Sequence, residues 1–462
     1  MDVNVTLVNP PYPKRSHQHP SLIPLGIGYL GAVLEKNGYS AKVVECQALK
    51  LTYSDFRREI AKHQPKVVGI TSTTLTYKSA LKVAEIAKEV NPNCVTILGG
   101  CHATFWDDKA LEECPQLDMI VRKEGEYTLL EIANKLKDNK PANDVLGTTC
   151  RKNGKIIRNA DRPYIENLDS LPYPAHHLLP LNHYKRQGKI NFPLSTSRGC
   201  VYWCNFCTAV RMFGRRYRMR NPKKVVDELQ FLNEKYGASL LSFYDDAFTV
   251  DQSRVKEICE EIQNRRLRIE WDCEARVDMV TKDLLQEMRK AGCILIWFGV
   301  ESGSQNVIDS MGKNINVAQT RKAFKWAHEA GLMTVASVVL GFPSETKDEA
   351  WETVKLVEEL DPTDVGYYIA TPYPGTPMYD YVKGNGWLRI TDFDRYDTAT
   401  PVFESPTLSR KDLEEIREKA YQRFYVRPGH VLRMLLKGGP YAIYSARTSF
   451  AYLLRALKFK FP

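Results

Sequence analysis

No apolar run in this chain reaches the ~18 residues needed to cross a bilayer, although 43% of its 462 residues are hydrophobic. Buried cores are therefore expected and a transmembrane segment is not. The opening Met1-Asp2-Val3-Asn4 has no basic cluster, and the apolar stretch after it is too short for a secretory signal. Cysteine is odd in number, 11 in all, which does not suit a disulfide framework. There is no second C-x2-C pair to complete a four-ligand zinc site. The expectation is a reducing, cytoplasmic setting, with Cys46, Cys94, Cys101, Cys114, Cys150, Cys259, Cys273 and Cys293 as small hydrophobes. Acidic residues are missing from 419–462, where nine Lys or Arg supply most of the formal net charge of +10. That stretch reads as a solvated basic face, with docking on an acidic partner or an anionic membrane surface as the alternative. No nucleic-acid partner is expected. The length suits about two to three domains.

Cys200, Cys204 and Cys207 stand in Ser197-Arg198-Gly199-Cys200-Val201-Tyr202-Trp203-Cys204-Asn205-Phe206-Cys207, a C-x3-C-x2-C run. Three thiolates on one short loop can hold three irons of a cubane [4Fe–4S] cluster, whose usual complement is four Cys. One iron is then left for a ligand other than protein. The run, with aromatic Phe206 before the last Cys, resembles the radical S-adenosylmethionine (SAM) enzymes. The resemblance implies that SAM chelates the open iron through its amino and carboxylate groups.

Upstream, apolar patterning predicts strands at 3–8, 40–45, 67–72, 95–98 and 119–121, and helices at 25–36, 53–63, 77–90, 109–113 and 126–137. Such alternation predicts an α/β fold with an open parallel sheet, whose ligands bind beyond the carboxyl ends of the strands. The loops there are Asn9-Pro10-Pro11-Tyr12-Pro13, Thr73-Thr74-Leu75-Thr76 and Gly99-Gly100-Cys101-His102-Ala103-Thr104. The Asn-Pro-Pro opening and the Gly-Gly-x-His-x-Thr loop resemble the cobalamin-binding domain of class B radical SAM methyltransferases. That resemblance places 73–76 beneath a corrinoid and 99–104 around its nucleotide tail. The Asp-x-His-x-x-Gly motif that supplies a cobalt ligand in many B12 proteins is absent, so His102 is expected to be a hydrogen-bonding loop histidine. The expected segments are a Rossmann-like cobalamin-binding domain (1–150), a proline-rich linker (151–189), a radical SAM partial (β/α)6 barrel (190–400) and a basic helical region (401–462) with helices at 410–425, 431–437 and 441–459.

Within 190–400 the strand ends match the radical SAM resemblance in order. The first strand, 192–197, leads into the cysteine loop, and the second, 240–243, ends in Asp245 and Asp246. The resemblance turns that pair toward the methionine amino group, while Asp246 is equally suited to cap the next helix. The third strand, 269–275, carries Glu274, and Arg276 follows at the alternate position that shares its face. A salt bridge between the two competes with a SAM-binding role. Gly299-Val300-Glu301-Ser302-Gly303 and Gly341 mark the fourth and fifth strands, with Gly341 expected to leave bare backbone for adenine. The aromatic stretch from Tyr367, with Tyr373 before Pro374-Gly375-Thr376, is the candidate lining of the substrate cavity.

What the resemblance implies is a cobalamin-dependent C-methyltransferase served by an external electron donor. Its length and domain order are similar to those of the enzyme that methylates a glutamine of methyl-coenzyme M reductase in methanogens. This implies a peptide or protein substrate and a post-translational modification. A lipid, tetrapyrrole or antibiotic precursor would need the same core. The other readings are a cobalamin-dependent cyclase or rearrangement enzyme, and a corrinoid-free RNA-modifying enzyme.

Overall fold

Runs such as Val5, Leu7 and Val8, all at most 1% exposed, are apolar on both faces of the strand, the signature of a parallel strand covered on both sides. A computed structural model describes residues 3–13, 22–185 and 188–427. It divides into two compact units. The first comprises Met1–Asp246 with Tyr373–Asp380 and Ile390–Asp397; the second comprises Ala247–Pro372, Tyr381–Arg389 and the chain from Thr398. Among the described residues no helix is long and apolar enough to cross a membrane.

The first unit is built on a seven-stranded sheet. Its strands are β1 (Asn4–Asn9), β2 (Ser40–Glu45), β3 (Val67–Thr71), β4 (Val95–Gly99), β5 (Met119–Val121), β6 (Thr148–Lys152) and β7 (Lys155–Arg158), in the order β2-β1-β3-β4-β5-β6-β7. β1 to β5 run parallel, with Val5 opposite both Ala41 and Val67. The strand order reverses beside β1, which opens the crevice where such sheets bind ligands. β6 and β7 are antiparallel and turn through Asn153 and Gly154, whose φ angles of +50° and +74° suit a tight hairpin. They carry the first sheet past residue 150, into the stretch expected to be linker. The same unit holds β8 (Asn191–Leu194) parallel to β11 (Leu240–Phe243), and β9 (Ser197–Arg198) antiparallel to β10 (Arg218–Met219). The strand expected at 192–197 is thus broken after Leu194.

In the second unit β12 (Glu270–Ala275), β13 (Cys293–Glu301), β14 (Met333–Leu340) and β15 (Asp364–Ile369) pair in sequence, all parallel. Helices at Gln252–Asn264, Lys282–Lys290, Val317–Glu329 and Lys347–Leu360 alternate with them, opened by Asp251, Thr281, Asn316 and Thr346, whose side chains accept from the first-turn amides. The helix expected at 410–425 is present as Arg410–Tyr425 and belongs to this unit. The helices expected at 431–437 and 441–459 lie outside the described residues.

Candidate functional site

The cysteine loop hangs from β9 and is braced from two sides. Gly199 has φ +93°, and a Cβ there would strike the Arg216 carbonyl; Cys200 N–H donates to Gly214 O at 3.2 Å. The Asp245 carboxylate, 1% exposed, accepts from Thr196 N–H at 2.6 Å and from the Thr196 hydroxyl. Asp245 therefore fixes the turn that leads to the cysteines, while its neighbour Asp246 is exposed. All three cysteines lie outside any disulfide and are half-buried, as is Phe206. Burial, then the charges of Asp246, Cys204 and Cys200, pushes the Cys207 thiol up to about 12, against the Ala209 N–H that reaches its sulfur at 3.4 Å. Such a thiol ionises when a metal displaces its proton. Among the described residues no three His, Cys, Asp or Glu side chains converge on a single-ion site. The donor set fits a cluster, in which each sulfur takes a different iron.

Behind the loop lies a buried charge network that the sequence reasoning missed. Arg198 donates to Glu124 at 3.0 Å and to Glu126 at 2.6 Å; Arg218 grips both oxygens of Glu124 at 2.8 and 3.0 Å. Ile165 N–H adds a bond of 2.7 Å to Glu124. These pairs tie the start of the cysteine loop to the segment after β5. Buried acids in Glu124-Gly125-Glu126 were the only signal, and they have no meaning until two arginines 74 and 94 residues away are placed on them.

Two cavities flank this region in the first unit. The first, about 360 Å³, opens into the sheet crevice and is lined by Leu7, Tyr29, Gly69, Gly99, Gly100 and Asp246 among others. Glycine at 100 is obligatory, since φ is +96° and a Cβ would overlap the Ser72 carbonyl. The second, about 240 Å³, is lined by Thr73, Thr74, Leu75, Cys101, His102, Phe105, Thr208, Tyr373, Pro374 and Tyr396. It therefore joins the 73–75 loop to Thr208, the residue after Cys207. Residues 101–105, expected as loop, form a short helix that begins right after Gly100. His102 sits on it, 2% exposed, with Nδ1 3.1 Å from Thr74 Oγ1 and its ring packed on Tyr77 and Phe393 at 4.3 and 4.6 Å. Burial lowers its pKa to about 3, and Nε2 has no hydrogen-bond partner. A neutral imidazole, hydroxyls and glycine-lined backbone are a donor set suited to an amide-rimmed ring such as a corrinoid.

Other expected residues have different occupations. Asn9 donates to Glu45 at 2.6 Å, while Gln47 donates to Asn9 Oδ1 at 3.2 Å and to Pro10 O at 3.0 Å, so the Asn-Pro-Pro turn is clamped to the end of β2. Tyr12 lies close enough for Glu45 to add to the rise that burial gives its pKa. Thr76 Oγ1 accepts from Thr73 N–H at 3.0 Å, and Thr104 Oγ1 from Lys123 N–H at 2.9 Å, so both stabilise backbone.

In the second unit Glu274 is open to solvent, yet the protein packed around it, and then Glu301, raise its pKa. A group both open and crowded lies in a concave wall. Glu301 has φ +62° and is ion-paired with Lys313, whose Nζ also donates to Gly299 O at 2.8 Å. Arg276 lies past the end of β12 and pairs with Asp278 at 3.0 Å and with Lys313 O at 2.7 Å, so the alternate-position pairing with Glu274 gives way to a local turn. Ser302 is buried against Thr353 at 3.0 Å. Gly341, expected to present bare backbone, has φ +82° and packs against Leu413. Lys313 and Tyr368, whose pKa is raised to about 12 by burial and by the charges of Tyr421, Glu274, Asp364 and Glu301, join this wall without having been anticipated as binding residues.

The Radical SAM superfamily pattern matches residues 194–357 and the B12 binding domain pattern residues 19–133. An uncharacterized methyltransferase of Pyrococcus horikoshii is 36% identical over 405 residues, spanning 88% of each chain. The anaerobic magnesium-protoporphyrin IX monomethyl ester cyclase of Rubrivivax gelatinosus is 30% identical over 417 residues, spanning 87% of this chain and 74% of its own. Among solved structures, the radical S-adenosylmethionine methyltransferase TsrM from Kitasatospora setae, with cobalamin and a [4Fe–4S] cluster bound, is similar at a TM-score of 0.72 and 19% identity, over 83% of this chain and 78% of its own. The chain belongs to the cobalamin-dependent radical SAM methyltransferase family. Its cofactors are accordingly a [4Fe–4S] cluster, SAM and cobalamin.

Proposed function

We propose that this enzyme moves a methyl group to an unactivated carbon of a peptide or protein, with the α carbon of a glutamine in methyl-coenzyme M reductase as the first candidate. The observation that carries the reading is the second cavity, which puts Thr73, Thr74 and Leu75 in one wall with Thr208 and Tyr373. When bound, the cluster with SAM supplies a hydrogen-abstracting radical and cobalamin a transferable methyl group. The chain's own work is then to orient and to exclude water. Cys200, Cys204 and Cys207 hold the cluster, and Gly99 and Gly100 let the backbone close on the corrinoid. His102 supports Thr74 in the wall that would hold the corrinoid, and Tyr373 with Tyr396 would narrow the way in. Glu274, Glu301 and Arg276 are the candidate SAM contacts of the second unit.

The test begins with metal content. Protein reconstituted anaerobically with iron and sulfide, soaked in hydroxocobalamin and desalted, is expected to hold about four irons and about one cobalt per chain. Alanine at Cys200, Cys204 and Cys207 should remove the iron and SAM cleavage and leave the cobalt. SAM carrying a labelled methyl group should then label glutamine-containing peptides. A turned-over product without label would sink the methyl-transfer reading and favour the ring-forming chemistry named for the Rubrivivax relative.

A further inference from the structure

Trp203, one residue before Cys204, is 47% exposed. An indole in water is unfavourable unless something covers it, and here two guanidinium groups stand over it: Arg211 at 4.4 Å and Arg215 at 5.7 Å from the ring centroid. Each such contact is worth only ~0.5–1 kcal/mol at an exposed site. That barely offsets the cost of ordering a long side chain, so folding alone gives little reason for the arrangement. Cys200 N–H bonds to Gly214 O at 3.2 Å, so the segment carrying Arg215 is tied to the cysteine loop. Arg216 follows, its side chain 77% exposed and paired with Glu166 at 2.6 Å. Val201 is exposed on the same loop. Arg211 also lies close to Cys207 and Asp380, which both act on its guanidinium.

We propose that this face, centred on Trp203 and Arg215, docks a small acidic electron-carrier protein that reduces the cluster. The proposal rests on the cysteine loop holding a [4Fe–4S] cluster, and is independent of which substrate is methylated. One electron leaves the carrier and enters the cluster; the carrier is oxidised and the cluster reduced by that electron, with no bond made or broken. The location serves the transfer, because the face belongs to the loop that ligates the irons. Its composition serves recognition. Trp and Arg dominate the energetically important centres of protein interfaces, and a cationic rim steers an acidic partner and raises its on-rate. A substrate is the poorer occupant, since neither Trp203, Arg215 nor Arg216 lines the two cavities described above.

The test is stopped-flow absorbance of cluster reduction in the reconstituted holoenzyme. Two reductants are compared: pre-reduced flavodoxin, and the methyl viologen radical, a small cation that gains nothing from guanidinium groups. In Arg215→Glu the flavodoxin rate at low salt should fall about tenfold or more and lose much of its salt dependence; in Trp203→Ala, which removes no charge, the rate should fall while its salt dependence persists. Iron content and the viologen rate should stay at wild-type values, and Arg215→Lys should retain most of the flavodoxin rate. An unchanged flavodoxin rate in Arg215→Glu overturns the proposal. So does an equal loss with both reductants at full iron content, which would make these side chains part of the cluster's own environment. Failure of the wild-type protein to assemble four irons would instead overturn the cluster reading, and the iron count reads that separately.

Discussion

Asp245 and Asp246 show how little a residue type says before its neighbours are placed. The pair was expected to face the methionine amino group from its position at a strand end; in the structure Asp245 gives its carboxylate to Thr196 while Asp246 is exposed. Nothing in sequence distinguishes two adjacent aspartates past a strand end; the placement of Thr196, 49 residues upstream, against one of them does. His102 was legible as a hydrogen-bonding histidine, but its burial was not, because the rings that cover it include Phe393, almost 300 residues away. That burial has a measurable consequence. The folded imidazole titrates near 3 and an unfolded one near 6.5, so between those values the unfolded chain binds the extra proton. The stabilising share is complete above pH 6.5 and is lost as the pH falls toward 3. From pH 6.5 to pH 5 the loss should amount to about 2 kcal/mol. His102→Asn, which keeps a partner for Thr74 and cannot titrate, should show a smaller decline. Denaturant unfolding of the two apoproteins at both pH values measures the difference, and parallel declines would refute the assignment.

At the scale of elements, most helices and strands of the first sheet could be read from period and punctuation, because parallel strands are continuous apolar runs and the helices between them are amphipathic. The misses have physical causes. The β6–β7 hairpin was signalled by Asn153-Gly154 but carries polar residues, so it lacked the apolar run that marks the other strands. The helix at Cys101–Phe105 is a single turn whose start depends on one left-handed residue, Gly100. Helical packing of Gly341 on Leu413 could not be read at all, since it joins a loop to a helix some 70 residues on. Gly100 makes a sharp test. Gly100→Ala combines positive φ with backbone overlap and should destabilise the protein by about 2 kcal/mol or more. It should also displace the 73–75 loop and lower cobalamin retention after desalting. Gly154→Ala has positive φ but open space around it, so it should cost only about 1 kcal/mol and leave cobalamin retention intact. Equal effects on retention would show that the 100–105 turn does not shape the corrinoid site.

Across the whole molecule, charge does two separate things. Inside the first unit, Glu124 faces two arginines that are each at most 8% exposed. Removing Glu124 takes away the carboxylate that pairs with buried Arg218, while Arg198 keeps Glu126, so Glu124→Ala should destabilise by about 3–5 kcal/mol. It should also loosen the cysteine loop, seen as lost iron after reconstitution; a variant that unfolds at the wild-type denaturant concentration would contradict the network's role. In sequence, the chain beyond Arg427 carries six Lys or Arg and no acid, out of a formal total of +10. A cluster of this sign adds long-range attraction for an acidic partner that salt weakens on the scale of a Debye length, ~8 Å at physiological ionic strength. If the methylated partner is a large acidic surface, removing residues 428–462 should raise KM for the protein substrate at low salt and flatten its salt dependence. If the cysteine loop and the strand ends serve SAM cleavage as proposed, that reaction without substrate should persist in the truncated enzyme, because they lie upstream. Truncating after Arg427 leaves the Arg410–Tyr425 helix whole, which keeps its packing against Gly341. Parallel loss of both activities would mean that 428–462 is needed for the fold, whereas unchanged salt dependence would remove the tail from substrate binding.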